Sequence, residues 1–315
     1  MTVIILGPAS DDHATHMVRQ LSQRGADVVQ LDAASFPGVT TIAFDPADGR
    51  GEIGLPGGRM LDFDAVRSVY WRSYDGVGAA DLPDHEQDYV AANDARSLFE
   101  SVLIGLPTHW VNGWHAVQLH QTKPVQLAMV ADLGVDIPRS IITNAAETLL
   151  RFAKANPRSI FKPVQGGAHT QRLTAAQLTP ENLSNLKFAP VSVQEEIPGT
   201  NIRAFVAGDT VIACEIATDA VDFRDDEEQR VTPHTLSSDH EEMCRVIART
   251  LELEWTGIDF RLAPDGRYVF LEANPSPMFI GFEALSGLPL TSALADLLLE
   301  EYDGADEHDV HPGAT

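Results

Sequence analysis

Asp259 and Glu272 stand on either side of one tight turn, Pro264-Asp-Gly266-Arg267, and can face each other across neighbouring strands. Asn274 lies two residues beyond Glu272, so a strand would place it on the same face. Two carboxylates and an amide oxygen form a hard, oxygen-only set of the kind magnesium takes beside phosphate oxygens. Ile258, Phe260, Phe270 and Leu271 flank the polar residues, so these strands read as buried on at least one side. Pro275 then ends the strand and leaves the polar groups at its tip. The other reading of the same residues is a solvated hairpin face.

The chain has four lysines, Lys123, Lys154, Lys162 and Lys187, so each is worth weighing. Lys162 ends the apolar run Ser159-Ile-Phe161 and precedes Gly166-Gly167, where backbone N–H groups and an ammonium could hold a phosphate. Lys123 sits near the start of a helical segment, where the macrodipole disfavours a cation. Taken singly, either lysine also fits a solvated surface. Gln194-Glu195-Glu196-Ile197 runs from a strand into Pro198-Gly199 and could offer backbone groups to a planar ring.

Around these groups the 315 residues carry 22 Lys+Arg against 46 Asp+Glu, a net charge of −24. That balance argues against nucleic acid and against anionic membranes as partners, because both need clustered cations. A small anionic ligand in one locally cationic cleft is still allowed. Cys214 and Cys244 form no CxxC pair and read as reduced, buried thiols. The N-terminus lacks a basic segment and no apolar run reaches membrane length, so the expectation is a cytoplasmic protein. No HxxxH or HExxH pair is present.

The elements that must position these residues follow from pattern. Val3–Gly7, a helix over 13–24 and a strand over 27–31 make a βαβ opening, without the GxGxxG of a dinucleotide site. Glycine-rich turns predict a hairpin excursion near 51–63, then a strand over 66–72, a helix from His85 to about Ile104 and a strand at 110–112. A helix over 122–133, a strand over 140–143, a helix capped by Asn144 with Glu147 in a capping box, and strands over 159–162 and 191–197 form a second unit. Strands at 202–206 and 210–217, a helix over 237–252, strands at 257–262 and 268–272 and a helix over 290–300 form a third. The expected domains are 1–118, 119–197 and 198–302, followed by a disordered acidic tail over 303–315. The run Asp225-Asp-Glu-Glu228 reads as a solvated loop beside Arg224.

Seven pieces in this order resemble the ATP-grasp superfamily: His120-Gln-Thr-Lys123; Phe161-Lys162-Pro163 with Gly166-Gly167; Val193-Gln-Glu-Glu-Ile197; Asn201-Ile-Arg203-Ala-Phe-Val-Ala-Gly208; Asp222-Phe-Arg224; Gly257-Ile-Asp259; and Phe270-Leu-Glu272-Ala-Asn274-Pro275. The resemblance covers about residues 119–300. It implies an α/β (α+β) fold with an N-terminal pre-ATP-grasp βαβ domain, a central lid and a C-terminal antiparallel sheet. By the same resemblance, Lys123 and Lys162 contact ATP phosphates, and Gln194, Glu195, Glu196, Ile197 and Asn201 hold the nucleotide. Asp259, Glu272 and Asn274 hold two magnesium ions, with manganese as the alternative metal. Arg203 and Arg224 bind the γ-phosphate and the acyl-phosphate being formed.

Within the superfamily, the chain is most similar to RimK-type ligases and to the microviridin (graspetide) type that modifies ribosomally made precursor peptides. The early Val69-Tyr-Trp71-Arg72 strand belongs to that similarity, and an arginine at the Arg72 position there helps receive the substrate's acidic side chain. The implied reaction is ATP-dependent joining of a carboxylate to an amine or hydroxyl, forming ester or amide crosslinks in a precursor peptide. The alternative is a ligase joining a small acid to an amino acid or amine. Dimers are common in this branch, which adds a homodimer to the expectations. Asn201 stands where aspartate is usual, Ser73 follows Arg72 where a second arginine is common, and Met278–Glu283 departs from the usual sequence. The last two departures fall on the substrate side.

Overall fold

The computed structural model of the chain describes residues 1–218, 220–226 and 228–300. The expected tail over 303–315 lies outside the described residues. The chain divides into two units, residues 1–113 with 294–300, and residues 114–293.

The first unit is built on a parallel sheet. β1 (Thr2–Leu6) is buried along its whole length, as a central parallel strand covered on both faces must be. α1 (Asp12–Gln23) starts at Asp11, whose carboxylate accepts from the Ala14 amide at 2.8 Å, and it buries Ala14, Met17 and Leu21 along one stripe. β2 (Asp27–Leu31) then pairs parallel to β1. The expected hairpin excursion is a three-stranded antiparallel sheet, β3 (Thr41–Phe44), β4 (Gly51–Gly54) and β5 (Met60–Asp62). β6 (Val66–Trp71) returns to the other side of β1, and α2 (His85–Gly105) leads to β7 (His109–Val111), giving the order β2-β1-β6-β7. Residues 294–300 belong here, since Ser68 Oγ donates to the Leu298 carbonyl at 2.7 Å and Arg67 to that of Leu299 at 2.6 Å.

The second unit opens with α3 (Trp114–His120) and α4 (Lys123–Asp132), where Pro124 sits in the first turn that tolerates it. β8 (Ser140–Thr143), α5 (Ala146–Ala155), β9 (Ser159–Pro163), β10 (Gln171–Arg172), α6 (Pro180–Ser184) and β11 (Val191–Glu195) follow, and the strands form a sheet in the order β10-β9-β11-β8. The expected Asn144 cap is corrected: α5 starts after Ala145, whose amide is taken by Thr143 Oγ1 at 2.9 Å, and no side-chain cap forms. One face of this sheet packs Val191, Val193 and Phe161 against Leu149 and Leu186, so strand alternation turns Ser192, Gln194 and Lys162 to the other face.

β12 (Thr200–Ala207), β13 (Thr210–Ala217), β14 (Arg230–His234), α7 (Ser238–Thr250), β15 (Trp255–Leu262) and β16 (Tyr268–Asn274) build a five-stranded antiparallel sheet in the order β14-β13-β12-β15-β16. α8 (Ile280–Ser286) and α9 (Leu290–Leu299) come last. Ile202, Ala204, Ile258, Phe260, Phe270 and Ala273 face one core with Leu127 and Val130 of α4 and Ile247 of α7. A bulge after Asp259 shifts the register, so Asp259 faces Glu272 while Phe260 faces Phe270. Among the described residues, no helix is long and apolar enough to cross a membrane.

Candidate active site

Three neighbouring strands of the five-stranded sheet place one charged residue each in a single row. Arg203 of β12 faces Asp259 of β15, and Asp259 faces Glu272 of β16. The core takes the alternate residues of each strand, so all three project from the opposite face. Arg203 Nε and Nη2 each donate to Asp259 at 2.7 Å in a two-pronged pair. Burial works against the arginine's charge, and Asp259 outweighs it and raises the guanidinium further. Asn274 stands beside Glu272 opposite Gly257, and its Oδ1 accepts from the Ser276 amide at 2.9 Å.

Lys123, at the start of α4, donates to Glu272 Oε2 at 2.5 Å. The ion pair is what overrides the unfavourable helix dipole at that position. Burial raises the Glu272 carboxyl, but Lys123, Lys162 and His120 outweigh it and bring it down to about 2. Lys162, on the polar face of the four-stranded sheet, makes no ion pair among the described residues. Burial pulls its ammonium below the usual value; Glu272 opposes this and Lys123 adds to it. The glycine loop comes close to Lys123. Gly166 has φ +132, and a Cβ there would come to 4.0 Å from Lys123 Nζ. Glycine at that position lets the backbone approach without strain.

Arg224 follows Phe223 on a short turn, donating to Asp222 at 2.8 and 2.5 Å, and it is half-exposed. Asp222 also accepts from the Thr170 amide at 3.1 Å, and His169 contacts Asp225, so the end of the glycine loop is tied to the Arg224 turn. Phe223 and Phe282 stack on the Arg203 guanidinium, at 5.3 and 4.8 Å from their ring centres. The divergent segment Met278–Glu283 thus supplies one half of an aromatic clamp on Arg203.

The segment expected to hold a nucleotide base is fastened by arginines. Arg139 donates to Glu195 through its amide and Nε, both at 2.9 Å. Arg172 donates to Glu196 at 3.0 Å, and the Glu196 amide donates to the Arg158 carbonyl at 2.9 Å. Gln194 is buried and donates to Ser140 Oγ at 2.9 Å, while its Oε1 has no hydrogen-bond partner among the described residues. Arg261 bridges the Ile197 carbonyl at 3.2 Å and Asn201 Oδ1 at 2.7 Å. Asn201 therefore keeps a defined orientation in the place of the usual aspartate.

In the first unit, the amides of Arg72 and Ser73 donate to the Leu6 carbonyl, at 3.0 and 3.1 Å. Arg72 Nε donates to both Asp11 oxygens, at 3.1 and 3.0 Å. Burial raises the Asp11 carboxyl, but the Ala14 amide and Arg72 together hold it below its usual value. Burial, then Arg72, pushes neighbouring His13 down to about 4.

The second unit thus brings Lys123 of α4, Lys162 of the four-stranded sheet, and Arg203, Asp259, Glu272 and Asn274 of the five-stranded sheet to one charged site, with Arg224 on a turn tied to the glycine loop. Sequence reasoning missed Arg261 and Gln126, and it gave no role to His120, Phe223 and Phe282, although the segments it singled out contain them. Gln126 had a detectable signal: it is polar, three residues after Lys123, and beside the core-facing Leu127. Among the described residues, no three His, Cys, Asp or Glu side chains gather to hold a metal by themselves. A hard cation on Asp259, Glu272 and Asn274 would need further oxygens, and phosphates beside Lys123 and Lys162 would supply them.

The family model for the RimK-like ATP-grasp domain matches residues 182–298. The structure of the ATP-grasp ligase PsnB, complexed with a phosphomimetic variant of a minimal precursor, Mg and ADP, is 31% identical, with a TM-score of 0.82 over 94% of this chain and 97% of that one. Two others share the fold at lower identity. The macrocyclase MdnC from Microcystis aeruginosa MRC, bound with precursor peptide MdnA, is 23% identical, with a TM-score of 0.82 over 95% of this chain and all (100%) of that one. A RiPP-associated ATP-grasp ligase from Chryseobacterium gregarium, in complex with ADP and a leader and core peptide, is 20% identical, with a TM-score of 0.81 over 94% of this chain and 96% of that one. No curated protein matches the sequence. With its RimK-like domain and near full-length likeness to PsnB, the chain belongs to the ATP-grasp ligases.

Proposed function

We propose that this ligase activates an acidic side chain of a ribosomally made precursor peptide with ATP and joins it to a hydroxyl or amine of that peptide. The observation that carries the reading is the near full-length likeness to PsnB, whose structure holds a minimal precursor, Mg and ADP. The row of charges supports the ATP half of it.

The γ-phosphoryl group passes to the substrate carboxylate, giving an acyl-phosphate and ADP. The peptide hydroxyl or amine then attacks the acyl carbon, phosphate leaves, and the attacking group gives up its proton to solvent. Lys123 and Lys162 would hold the phosphates, and Arg203 and Arg224 the group in transfer, where positive charge lowers the barrier most. Gln194 to Ile197 and Asn201 would hold the nucleoside. Magnesium, held by Asp259, Glu272 and Asn274, would neutralise charge between the phosphates. In the protein alone, Lys123 pairs with Glu272 and Arg203 with Asp259. Binding exchanges those partners, so cations turn to phosphate and carboxylates to metal. Arg72, held by Asp11, would receive the peptide's acidic side chain.

The test is mass spectrometry of candidate precursors after incubation with ATP and magnesium. Loss of one water mass per bond, with one ADP released per loss, is the expected result. ADP release driven by free amino acids and small acids, with no change in any peptide, would replace this reading by the small-molecule one.

A further inference from the structure

β16 is the edge strand of the five-stranded sheet, and it carries Glu272 and Asn274 with Ala273 between them. Ala273 faces Ile258 of β15 but gives its N–H and C=O to α4, so it is the non-hydrogen-bonded pair, and alternation turns the backbone groups of Glu272 and Asn274 inward to β15. The N–H and C=O of Ala273 point outward, where a sixth strand would be. Among the described residues, no strand lies there. Gln126 of α4 takes its place: the Ala273 amide donates to Gln126 Oε1 at 2.9 Å, and Gln126 Nε2 donates to the Ala273 carbonyl at 2.9 Å. His120 Nδ1 lies 3.0 Å from the same carbonyl, so its proton sits on Nδ1. Gln126 is 2% exposed. Its amide pairs with the strand as a peptide group would, and no water is needed to complete the edge.

The same helix reaches the strand twice. Lys123 takes the Glu272 side chain, and Gln126, three residues on and on the same helix face, takes the next residue's backbone. Ala273 is itself fully buried in the core, so its position is set from both sides. A shift of its peptide would move Glu272 and Asn274 together.

We infer that Gln126 is a positioning residue for the metal site, fixing the spacing of Glu272 and Asn274 by substituting for a missing strand. The inference rests on those two residues holding the metal. Partners of this kind, one step removed from the ligands, typically set metal affinity by about 10–100-fold.

The test compares Gln126→Met, which removes both bonds, and Gln126→Glu, which keeps the size and an acceptor, with Glu272→Gln. Manganese binding is titrated by electron paramagnetic resonance with saturating ADP, and ADP binding is measured separately without metal. Folded Gln126 variants are expected to bind manganese about 10–100-fold more weakly. Their metal-free ADP affinity should be unchanged and amide exchange over 271–274 faster. Unchanged manganese affinity in a folded Gln126 variant, with a loss in Glu272→Gln, overturns the inference alone. Unchanged affinity in Glu272→Gln as well overturns the metal assignment beneath it. If neither Gln126 variant folds, the unaltered protein decides. The Ala273 amide must then exchange as slowly as the central strands, and fast exchange overturns the inference.

Discussion

Arg203 and Asp259 face each other on adjacent strands and are joined by two hydrogen bonds of 2.7 Å, with Arg203 only 8% exposed. Removing one member strands the other's charge in the interior, which typically costs about 3–5 kcal/mol. Arg203→Met is therefore expected to lose stability on that scale in denaturant unfolding. Arg203→Lys keeps the charge but not the fork, so it should lose less stability and still lose most ATP turnover. ADP release near normal in a folded Arg203→Lys protein would show that the fork serves the fold alone.

The aromatic clamp makes a separate prediction. Phe223 and Phe282 hold the face of the guanidinium that Asp259 holds by its edge. Phe282→Leu removes one ring, and a cation–π contact is worth about 0.5–2 kcal/mol, or about 2- to 30-fold in rate. The expected pattern is a lower kcat with little change in KM for ATP, and recovery in Phe282→Tyr. Equal losses in the Leu and Tyr variants would rule the clamp out.

Lys162 should behave in the opposite way to Arg203. Its half-buried ammonium has no carboxylate partner among the described residues, so the protein bears its desolvation without an ion pair. Lys162→Met is expected to keep or raise the thermal midpoint. A charge-assisted contact contributes about 1.5–3 kcal/mol, so nucleotide binding should weaken by at least about tenfold. Isothermal titration with ADP and magnesium checks this, and unchanged affinity would take Lys162 out of the phosphate site.

The Arg72 pair is tested through Asp11. Asn caps a helix as well as Asp does, so Asp11→Asn should leave α1 intact while removing the charge that holds Arg72. The expected result is a higher KM for the acidic peptide at an unchanged KM for ATP. A rise in both would point to general damage.

His13 gives a pH prediction. It titrates near 6.5 in the unfolded chain and at about 4 in the fold, lowered by burial and then by Arg72, with Asp11 opposing. Its folded value is depressed, so between those limits the unfolded chain binds more protons and stability falls as pH falls. Above 6.5 both forms are neutral and the effect vanishes. Replacing His13 with Gln should flatten the stability profile over that window only. Parallel profiles from denaturant midpoints would exclude the effect.

Much of this was legible in the sequence, for a physical reason. Charged residues beside apolar strands must have a purpose there, so Lys162, Arg203, Asp259 and Glu272 announced themselves. The βαβ opening and the hairpins at Gly208 and Gly266 followed from alternation and turn residues. What escaped depends on contacts distant in sequence. Nothing local shows that Gln126 pairs with Ala273, that Phe282 covers Arg203 or that Asp11 holds Arg72. β14 escaped because it contains Pro233, which a strand tolerates only at an edge, and β14 is an edge. The Asn144 cap failed because α5 begins at Ala146, so Ala145 holds the capping position and Asn144 lies one residue outside it.

The bulge after Asp259 bears on how this strand tolerates change. In an unbroken strand, Phe270 and Glu272 would share a face. The extra residue, Leu271, lets Phe270 enter the core while Glu272 turns to the site. β16 therefore carries two alternation frames, one serving solvent exclusion and one serving chemistry, joined at Leu271. Substitutions on either side are felt in one frame only. Deleting Leu271 would make Phe270 and Glu272 neighbours in one unbroken alternation, with the ring still in the core and the carboxylate still at the site. A deletion there should thus be tolerated far better than deletion of Ala273, which would turn Asn274 away from the face of Glu272.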